Sequence, residues 1–419
     1  MTKKTNTSSA FPRTLRTAVL KASKHFPVVA VTGARQVGKT TLLQEISEPG
    51  RRYVSLDDPF LLKAAKEDPE LFLQNHPAPL LIDEIQYAPE LFPFIKMRVD
   101  AAKDKGMYWL TGSQPFHLMQ GLSESLAGRV GILNLLGFSN IEAHGLGGQP
   151  FAPFLPERQW INAQSQLWDG QRPQTIQTLY EAIWRGSFPA LVIEPEMDRD
   201  LYFASYVQTY IQRDVRQLAR VGDEQAFLRF IRAAAARTGQ LLNMADLARD
   251  ADIAPNTAKA WLSILEVSGL VYLLQPWHSN VTKRLVKTPK LYFIDTGLCA
   301  YLTQWSSPQT LESGAMSGAI FETWCVIEII KSYWHNGQRA PLYYFRSRDQ
   351  QEIDLLIERD GQLHAVEFKK STAPGESAVA GIRAGAKLGL PIGSGGVVCM
   401  REDVLQIAEG VLTIPAGLI

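Results

Sequence analysis

The sequence has little that would tie it to a membrane, an oxidising compartment or polyanions at large. No stretch approaches the ~18 consecutive apolar residues of a membrane-crossing helix. Met1 to Ser9 is polar and lacks the apolar segment of a secretory leader, so the chain reads as soluble and cytoplasmic. Cysteine is scarce: Cys299, Cys325 and Cys399 are three in 419 residues, an odd set without metal-ligand spacing, which suits buried thiols in a reducing compartment. An excess of either charge is missing too. With 43 Lys and Arg against 42 Asp and Glu, any binding to nucleic acid has to rely on local patches. No internal repeat occurs. Hydrophobic residues make up 46% of the chain, so it is globular, and its length exceeds what one core usually holds. At ~100–200 residues per domain, three units are expected.

What is present starts with Gly33-Ala34-Arg35-Gln36-Val37-Gly38-Lys39-Thr40, a G-x-x-x-x-G-K-T loop. The apolar run Val28 to Val31 before it reads as a buried strand, and Thr41 to Ile46 after it as the first turns of a helix. Backbone N–H groups of such a loop converge on one anion, the glycines let the main chain approach, and the helix start adds partial positive charge. Lys39 reaches the β- and γ-phosphates and the Thr40 hydroxyl suits Mg²⁺, so Gly33 to Thr40 with Thr41 are the expected ATP contacts. A second run, Pro79-Leu80-Leu81-Ile82-Asp83-Glu84-Ile85, reads as a buried parallel strand with acids at its C-terminal edge. Ligands of open α/β sheets sit at that edge, so Asp83 is assigned to the Mg²⁺ shell and Glu84 to the attacking water. A third strand, Met107 to Leu110, leads into Thr111-Gly112-Ser113-Gln114, which is either a γ-phosphate or water contact or a simple turn.

The order G-A-R-Q-V-G-K-T-T, L-L-I-D-E-I-Q, W-L-T-G-S-Q and Ser125-Leu126-Ala127-Gly128-Arg129 resembles the prokaryotic AAA-type P-loop ATPases with a C-terminal domain of unknown function. Ile183 to Pro189 (I-W-R-G-S-F-P), Tyr210 to Val215 and Leu291 to Leu298 (L-Y-F-I-D-T-G-L) extend the resemblance over nearly the whole chain. Ala34 departs from the proline often found in this loop. The resemblance implies a nucleotide-binding module working as a homo-oligomer, with Ser113 or Gln114 as the sensing position. It makes Arg129 the candidate arginine finger, reaching a phosphate across a subunit boundary, with a surface ion pair as the other reading. Arg35 and Arg213 are weaker alternatives.

The expected fold is α/β. Residues 14–145 form a P-loop parallel sheet, residues 157–290 a helical region, and residues 291–419 an α/β domain, with a Pro- and Gly-rich loop over 145–156. Within the helical region, residues 239–278 have the spacing of a winged helix-turn-helix: a short helix over 244–248, a turn over 250–254, a second helix over 255–268 and a wing strand over 270–274. Pro255 suits a first helical position and Gly269 a helix end. Asn256, Thr257 and Lys259 would face a DNA groove, and the basic stretch His278 to Lys290, with Lys283, Arg284, Lys287 and Lys290, would contact the backbone. Packing or protein contact explains the helices, and a solvated loop explains the charges, equally well.

Near the C-terminus, Glu352 to Glu358 and Leu363 to Lys369 flank Asp360-Gly361, a two-residue type I′ turn signal. That turn pairs Arg359 with Gln362, and hence Asp354 with Glu367, and period-two alternation adds Lys369 to the same face. Opposed carboxylates disfavour folding unless a cation joins them. With Glu322 at the start of an apolar helix, this set resembles the metal-dependent PD-(D/E)xK nuclease core, in which acids hold Mg²⁺ and the lysine positions water. In the alternative, Lys369 and Lys370 neutralise an acidic hairpin and the core survives as a scaffold. The functional expectation is a Mg²⁺-dependent ATPase acting on a bound macromolecule, DNA. A nucleotide-gated nuclease and a nucleotide-dependent protein-interaction switch are the alternatives.

Overall fold

The computed structural model describes residues 11–113, 115–148, 151–168, 175–209, 224–278, 288–347, 349–387 and 389–419, with side chains omitted at 115–117 and 120. Gln114, Arg213, Lys283, Arg284 and Lys287 lie outside the described residues.

The apolar runs of the first third become five parallel strands: β1 (Val28–Thr32), β2 (Arg52–Ser55), β3 (Leu80–Asp83), β4 (Tyr108–Thr111) and β5 (Val130–Asn134), in the order β2-β3-β4-β1-β5. Every residue of β1, β3 and β4 is buried, as a sheet covered on both faces requires. Strand alternation sorts the side chains. Val28, Ala30, Leu80 and Ile82 pack with Phe72, Phe92 and Ile95 on one face. Val29, Val31, Leu81 and Trp109 face the other way, into a core that continues through Phe230, Ile327 and Ile414. One face of the nucleotide-type sheet is therefore built into the rest of the protein.

Next comes a helical region that ends in a small antiparallel sheet of β6 (Gln240–Leu241), β7 (Val271–Leu274) and β8 (Lys290–Phe293), in the order β6-β8-β7. Helices Met244–Ala251 and Pro255–Val267 lie between β6 and β7. Asn243 caps the first helix by accepting from Ala245 and Asp246 N–H, Pro255 takes the first position of the second, and Gly269 follows its end at φ +71°. Trp261 packs edge-on against Phe227 and Phe230, at ring-centroid distances of 5.1 and 5.5 Å. Val267, the last residue of the second helix, is exposed. The central strand β8 crosses the expected boundary at residues 290 and 291.

The last sheet has six strands: β9 (Leu342–Arg346), β10 (Glu352–Arg359), β11 (Gln362–Lys369), β12 (Ile392–Cys399), β13 (Gln406–Ala408) and β14 (Val411–Pro415), ordered β13-β14-β12-β11-β10-β9. Asp360 and Gly361 turn with φ +51° and +76°, and Arg359 pairs with Gln362 as the turn dipeptide predicts. Helix Ser317–Trp334 runs through the shared core with most of its residues buried. All three cysteines are buried free thiols. Among the described residues no helix is long and apolar enough to cross a membrane.

The I-W-R-G-S-F-P and F-I-D-T-G-L segments, distant in sequence, meet behind the P-loop. Ser187 donates its backbone N–H and its hydroxyl to Asp295 Oδ2 at 2.7 and 2.8 Å, and Phe138 N–H donates to Ser187 O at 2.7 Å. Gly186 and Gly297 allow this approach. A Cβ on Gly297 would lie 2.6 Å from Arg185 O and from the Gly186 backbone, which cannot swing aside as a side chain would. Gly297→Ala should therefore destabilise the protein by ~1–3 kcal/mol. Gly318→Ala, where a Cβ meets nothing within 4 Å, should be neutral or slightly stabilising. Denaturant midpoints of the two variants check this, and equal midpoints would show the junction to be loosely packed.

Candidate functional site

The P-loop leaves the buried C-terminal end of β1 and enters helix Lys39–Ile46 through Gly38 at φ +90°. Gly33, at φ +149°, is required sterically: a Cβ there would sit 2.1 Å from Leu135 O. Arg35, Gln36, Gly38, Lys39, Thr40 and Thr41 line a cavity of about 280 Å³, with Glu84 and Ser113 opposite. The first N–H groups of the helix face it without intrahelical partners. Lys39 is buried, and its Nζ donates to Gly33 O at 3.0 Å and Ala34 O at 2.7 Å. Burial pulls its ammonium down to about 8, against the opposing pull of Glu84 and Asp83. The loop is held from behind. Arg13 donates to Val37 O at 2.8 Å, and Tyr202 OH donates to Gln36 Oε1 at 2.7 Å.

The acids at the end of β3 take two different environments. Asp83 Oδ2 accepts from the Thr40 hydroxyl at 2.9 Å and from Tyr53 OH at 3.2 Å; burial raises its pKa and the Thr40 bond opposes this. Glu84 has a left-handed backbone, φ +55°, a conformation costing about 1–3 kcal/mol that persists only where the surroundings impose it. Its Oε2 accepts from Ser113 N–H at 3.1 Å, from Ser113 Oγ at 2.7 Å and from Gln86 Nε2. A hydroxyl and a carboxylate beside a phosphate cradle form a donor set that fits Mg²⁺.

Arg129 stands elsewhere. Its carbonyl accepts from Val28 N–H, so it lies at the opposite end of β1 from the P-loop, about 16 Å away along five residues of strand. Its guanidinium pairs with Asp100 at 2.6 and 2.9 Å. Among the described residues, Arg35 is the arginine that lines the cavity, with Nη2 3.4 Å from Tyr87 OH. In the small helical pair, Asn256 and Lys259 are exposed and Thr257 is half-buried.

Glu322, Asp354, Glu367 and Lys369 do come together, with additions. Lys369 Nζ lies 3.4 Å from Asp354 Oδ2 and 3.0 Å from Glu367 Oε2. Burial, together with the Asp354 carboxylate, pushes Glu367 up to about 9. Lys290, read from sequence as part of a DNA-facing basic stretch, is instead buried in this cluster: its Nζ is 2.6 Å from Glu352, 3.2 Å from Glu322 and 3.9 Å from Asp354. Burial would lower the Lys290 ammonium, yet these three carboxylates hold it above its ordinary value. Lys370 does not neutralise the hairpin. It turns to Glu312.

Residues 25–144 match the family of AAA domains, residues 176–309 a domain of unknown function, DUF8612, and residues 317–419 another, DUF4143. The uncharacterized proteins Rv2008c of Mycobacterium tuberculosis and Mb2031c of Mycobacterium bovis are each 28% identical over 400 residues, 95% of this chain and 82% of theirs. Among solved structures, the Walker-type ATPase PABY2304 of Pyrococcus abyssi aligns with a TM-score of 0.45 at 15% identity, over 72% of this chain and 98% of that one. The Thermotoga maritima RuvB Holliday junction branch migration motor aligns at 0.28 and 17%, over 61% and 86%. The N-terminal unit thus combines a P-loop, a parallel strand order and strand-end acids with the part of the chain that matches the AAA domain family.

Several participants carried weak sequence signals. Glu352 shares the alternation of Asp354 and was open to the same period-two reading. Tyr53, Gln86 and Arg13 reach the site only through tertiary contacts.

The depressed Lys39 value has a measurable consequence. With its value lowered to about 8, the Lys39 ammonium of the nucleotide-free protein should be partly deprotonated at pH 8, and a bound triphosphate should restore the proton. ATP binding at pH 8 should take up roughly half a proton and should lose this contribution near pH 6.5. Titration calorimetry in buffers of different ionisation enthalpy measures the uptake; enthalpies independent of buffer at pH 8 would refute it.

Proposed function

We propose that the chain is a Mg²⁺-dependent ATPase that couples ATP hydrolysis to action on a bound macromolecule, DNA. The observation that carries this reading is the Glu84 carboxylate, gripped by Ser113 and Gln86 in the wall of the cavity that also holds Lys39 and Thr40. In this reading the backbone amides of Gly33 to Thr41 bind the phosphates, and Lys39 exchanges its two carbonyl bonds for phosphate oxygens. Thr40 and Asp83 would hold Mg²⁺, which would supply charge neutralisation at the phosphates. Glu84 orients and deprotonates water, while Ser113 fixes the carboxylate until the substrate arrives. Because Arg129 lies far from its own P-loop, the finger role belongs to a homo-oligomer in which it faces a neighbour's nucleotide. Its Asp100 pair is then the contact that must open.

The DNA assignment draws on the exposed Asn256 and Lys259, with Thr257 beside them, at the start of the second helix of the winged-helix reading. Lys283, Arg284 and Lys287 would add phosphate contacts. Buried free thiols accord with a reducing, cytoplasmic setting. The nuclease alternative draws on Asp354, Glu367 and Lys369 sharing a face, but the same cluster contains Lys290, which weighs against it. A DNA-indifferent protein would favour the interaction switch.

Turnover assays with and without duplex DNA test the assignment. Lys39→Ala should lose nucleotide binding. Glu84→Gln should keep binding and lose ~10²-fold or more in kcat, the usual contribution of a positioned base. DNA should stimulate the wild type, and Lys259→Glu should weaken that stimulation. A Glu84→Gln variant hydrolysing at the wild-type rate would remove Glu84 from the mechanism.

A further inference from the structure

The C-terminal acid cluster collects four carboxylates, from helix Ser317–Trp334 (Glu322), β10 (Glu352 and Asp354) and β11 (Glu367). Left alone, such an arrangement repels itself and would need a cation. The cation it contains is part of the chain. Lys290 extends from β8 of the small antiparallel sheet with only 4% of its side chain exposed, and its ammonium lies at the point on which Glu322, Glu352 and Asp354 converge.

Several other acceptor positions are also engaged, while the buried Glu367 Oε1 has no hydrogen-bond partner among the described residues. Glu322 Oε1 accepts from Tyr292 OH at 2.6 Å as well as from Lys290. Asp354 Oδ2 accepts from Phe368 N–H at 3.1 Å and from Lys369. Glu367 Oε2 accepts from Lys369, and Arg346 lies 4.0 Å from Glu352. A divalent ion needs several carboxylate oxygens at about 2.0–2.6 Å around one point, and that point is filled. Among the described residues, no group of three or more His, Cys, Asp or Glu side chains is arranged to hold a metal ion.

We propose that Lys290 is the resident cation of this cluster, so that the acids form an ionic joint between the small antiparallel sheet and the C-terminal sheet, and that a divalent metal ion enters only when Lys290 is withdrawn. The residues that resemble a nuclease centre then serve as a clamp on β8. The proposal is independent of the ATPase reading, because it concerns neither the P-loop nor the DNA contacts.

The test is Mn²⁺ binding to the full chain without nucleotide, followed by electron paramagnetic resonance of the free ion. Wild type and Asp354→Asn should bind Mn²⁺ identically, because the cluster contributes no site. Lys290→Met keeps the aliphatic stem and removes the charge. It should gain one site, at least about tenfold tighter than any in the wild type, and lose it in the Lys290→Met/Asp354→Asn double variant. A wild-type site that disappears in Asp354→Asn would overturn the proposal, as would a folded Lys290→Met with no new site. Should Lys290→Met fail to fold, the comparison of wild type with Asp354→Asn decides alone.

Discussion

Glu142 is the point on which the nucleotide domain depends for its place in the molecule. It is fully buried. Its carboxylate accepts from Thr14 N–H at 2.8 Å and Ser139 N–H at 2.9 Å, pairs with Arg13 Nε at 3.2 Å, and faces His335 Nδ1 at 3.4 Å. Burial alone would raise its pKa; Arg13 and then His335 pull it far below the carboxylate range, so it stays ionised. Arg13 passes the constraint on to the P-loop through Val37 O and to the end of the sheet through Leu136 O. His335 Nε2 accepts from Leu136 N–H at 3.2 Å, so the same ring touches both Glu142 and the exit of β5. One acid therefore fixes the rear of the phosphate loop, the exit of β5 and the end of helix Ser317–Trp334. A buried pair of this kind adds little net stability over an apolar replacement, but breaking it costs ~3–5 kcal/mol, so its effect is to hold one arrangement against others.

With the loop fixed from behind, its front is set by strand geometry. β1 and β3 run parallel on either side of β4, so the P-loop and the Asp83-Glu84 pair emerge at the same edge. The adjacent acids then diverge. Asp83 stays in the strand line, facing Thr40 and Tyr53, while the left-handed turn at Glu84 swings its carboxylate across to Ser113. Two adjacent carboxylates thus acquire separate partners, and the difference in environment follows from a single backbone angle.

This division explains what was legible in the sequence. The P-loop, the acids after β3 and the Asp360-Gly361 turn are local signals: residue type and spacing fix the chemistry before any tertiary contact forms. The hairpin register followed from the turn alone, since Arg359 opposite Gln362 leaves one alignment for the strands. Gln86, Tyr53 and Arg13 were not legible, because each acts on a partner brought to it by a different element. Lys290 was misread for the same reason. In sequence it continues a run of basic residues, and charge next to charge suggests a solvated surface. In the fold the chain enters β8 at that residue, and alternation along the strand, together with the neighbouring helix and hairpin, encloses its ammonium among acids.

That strand joins the two halves of the molecule. Lys290 at its start is committed to Glu322, Glu352 and Asp354, and Asp295, two residues past its end, is committed to Ser187 behind the P-loop. Between them Leu291, Tyr292 and Phe293 are buried, so no intervening residue can slip without exposing apolar surface or breaking the pairing with β6 and β7. Charges of opposite sign at the two ends of a short buried strand resist sliding more effectively than apolar packing alone. A shift of one residue flips every side chain to the other face and leaves an ammonium and a carboxylate buried without partners, each at several kcal/mol. The C-terminal acids and the rear of the nucleotide site consequently meet the two ends of one buried strand.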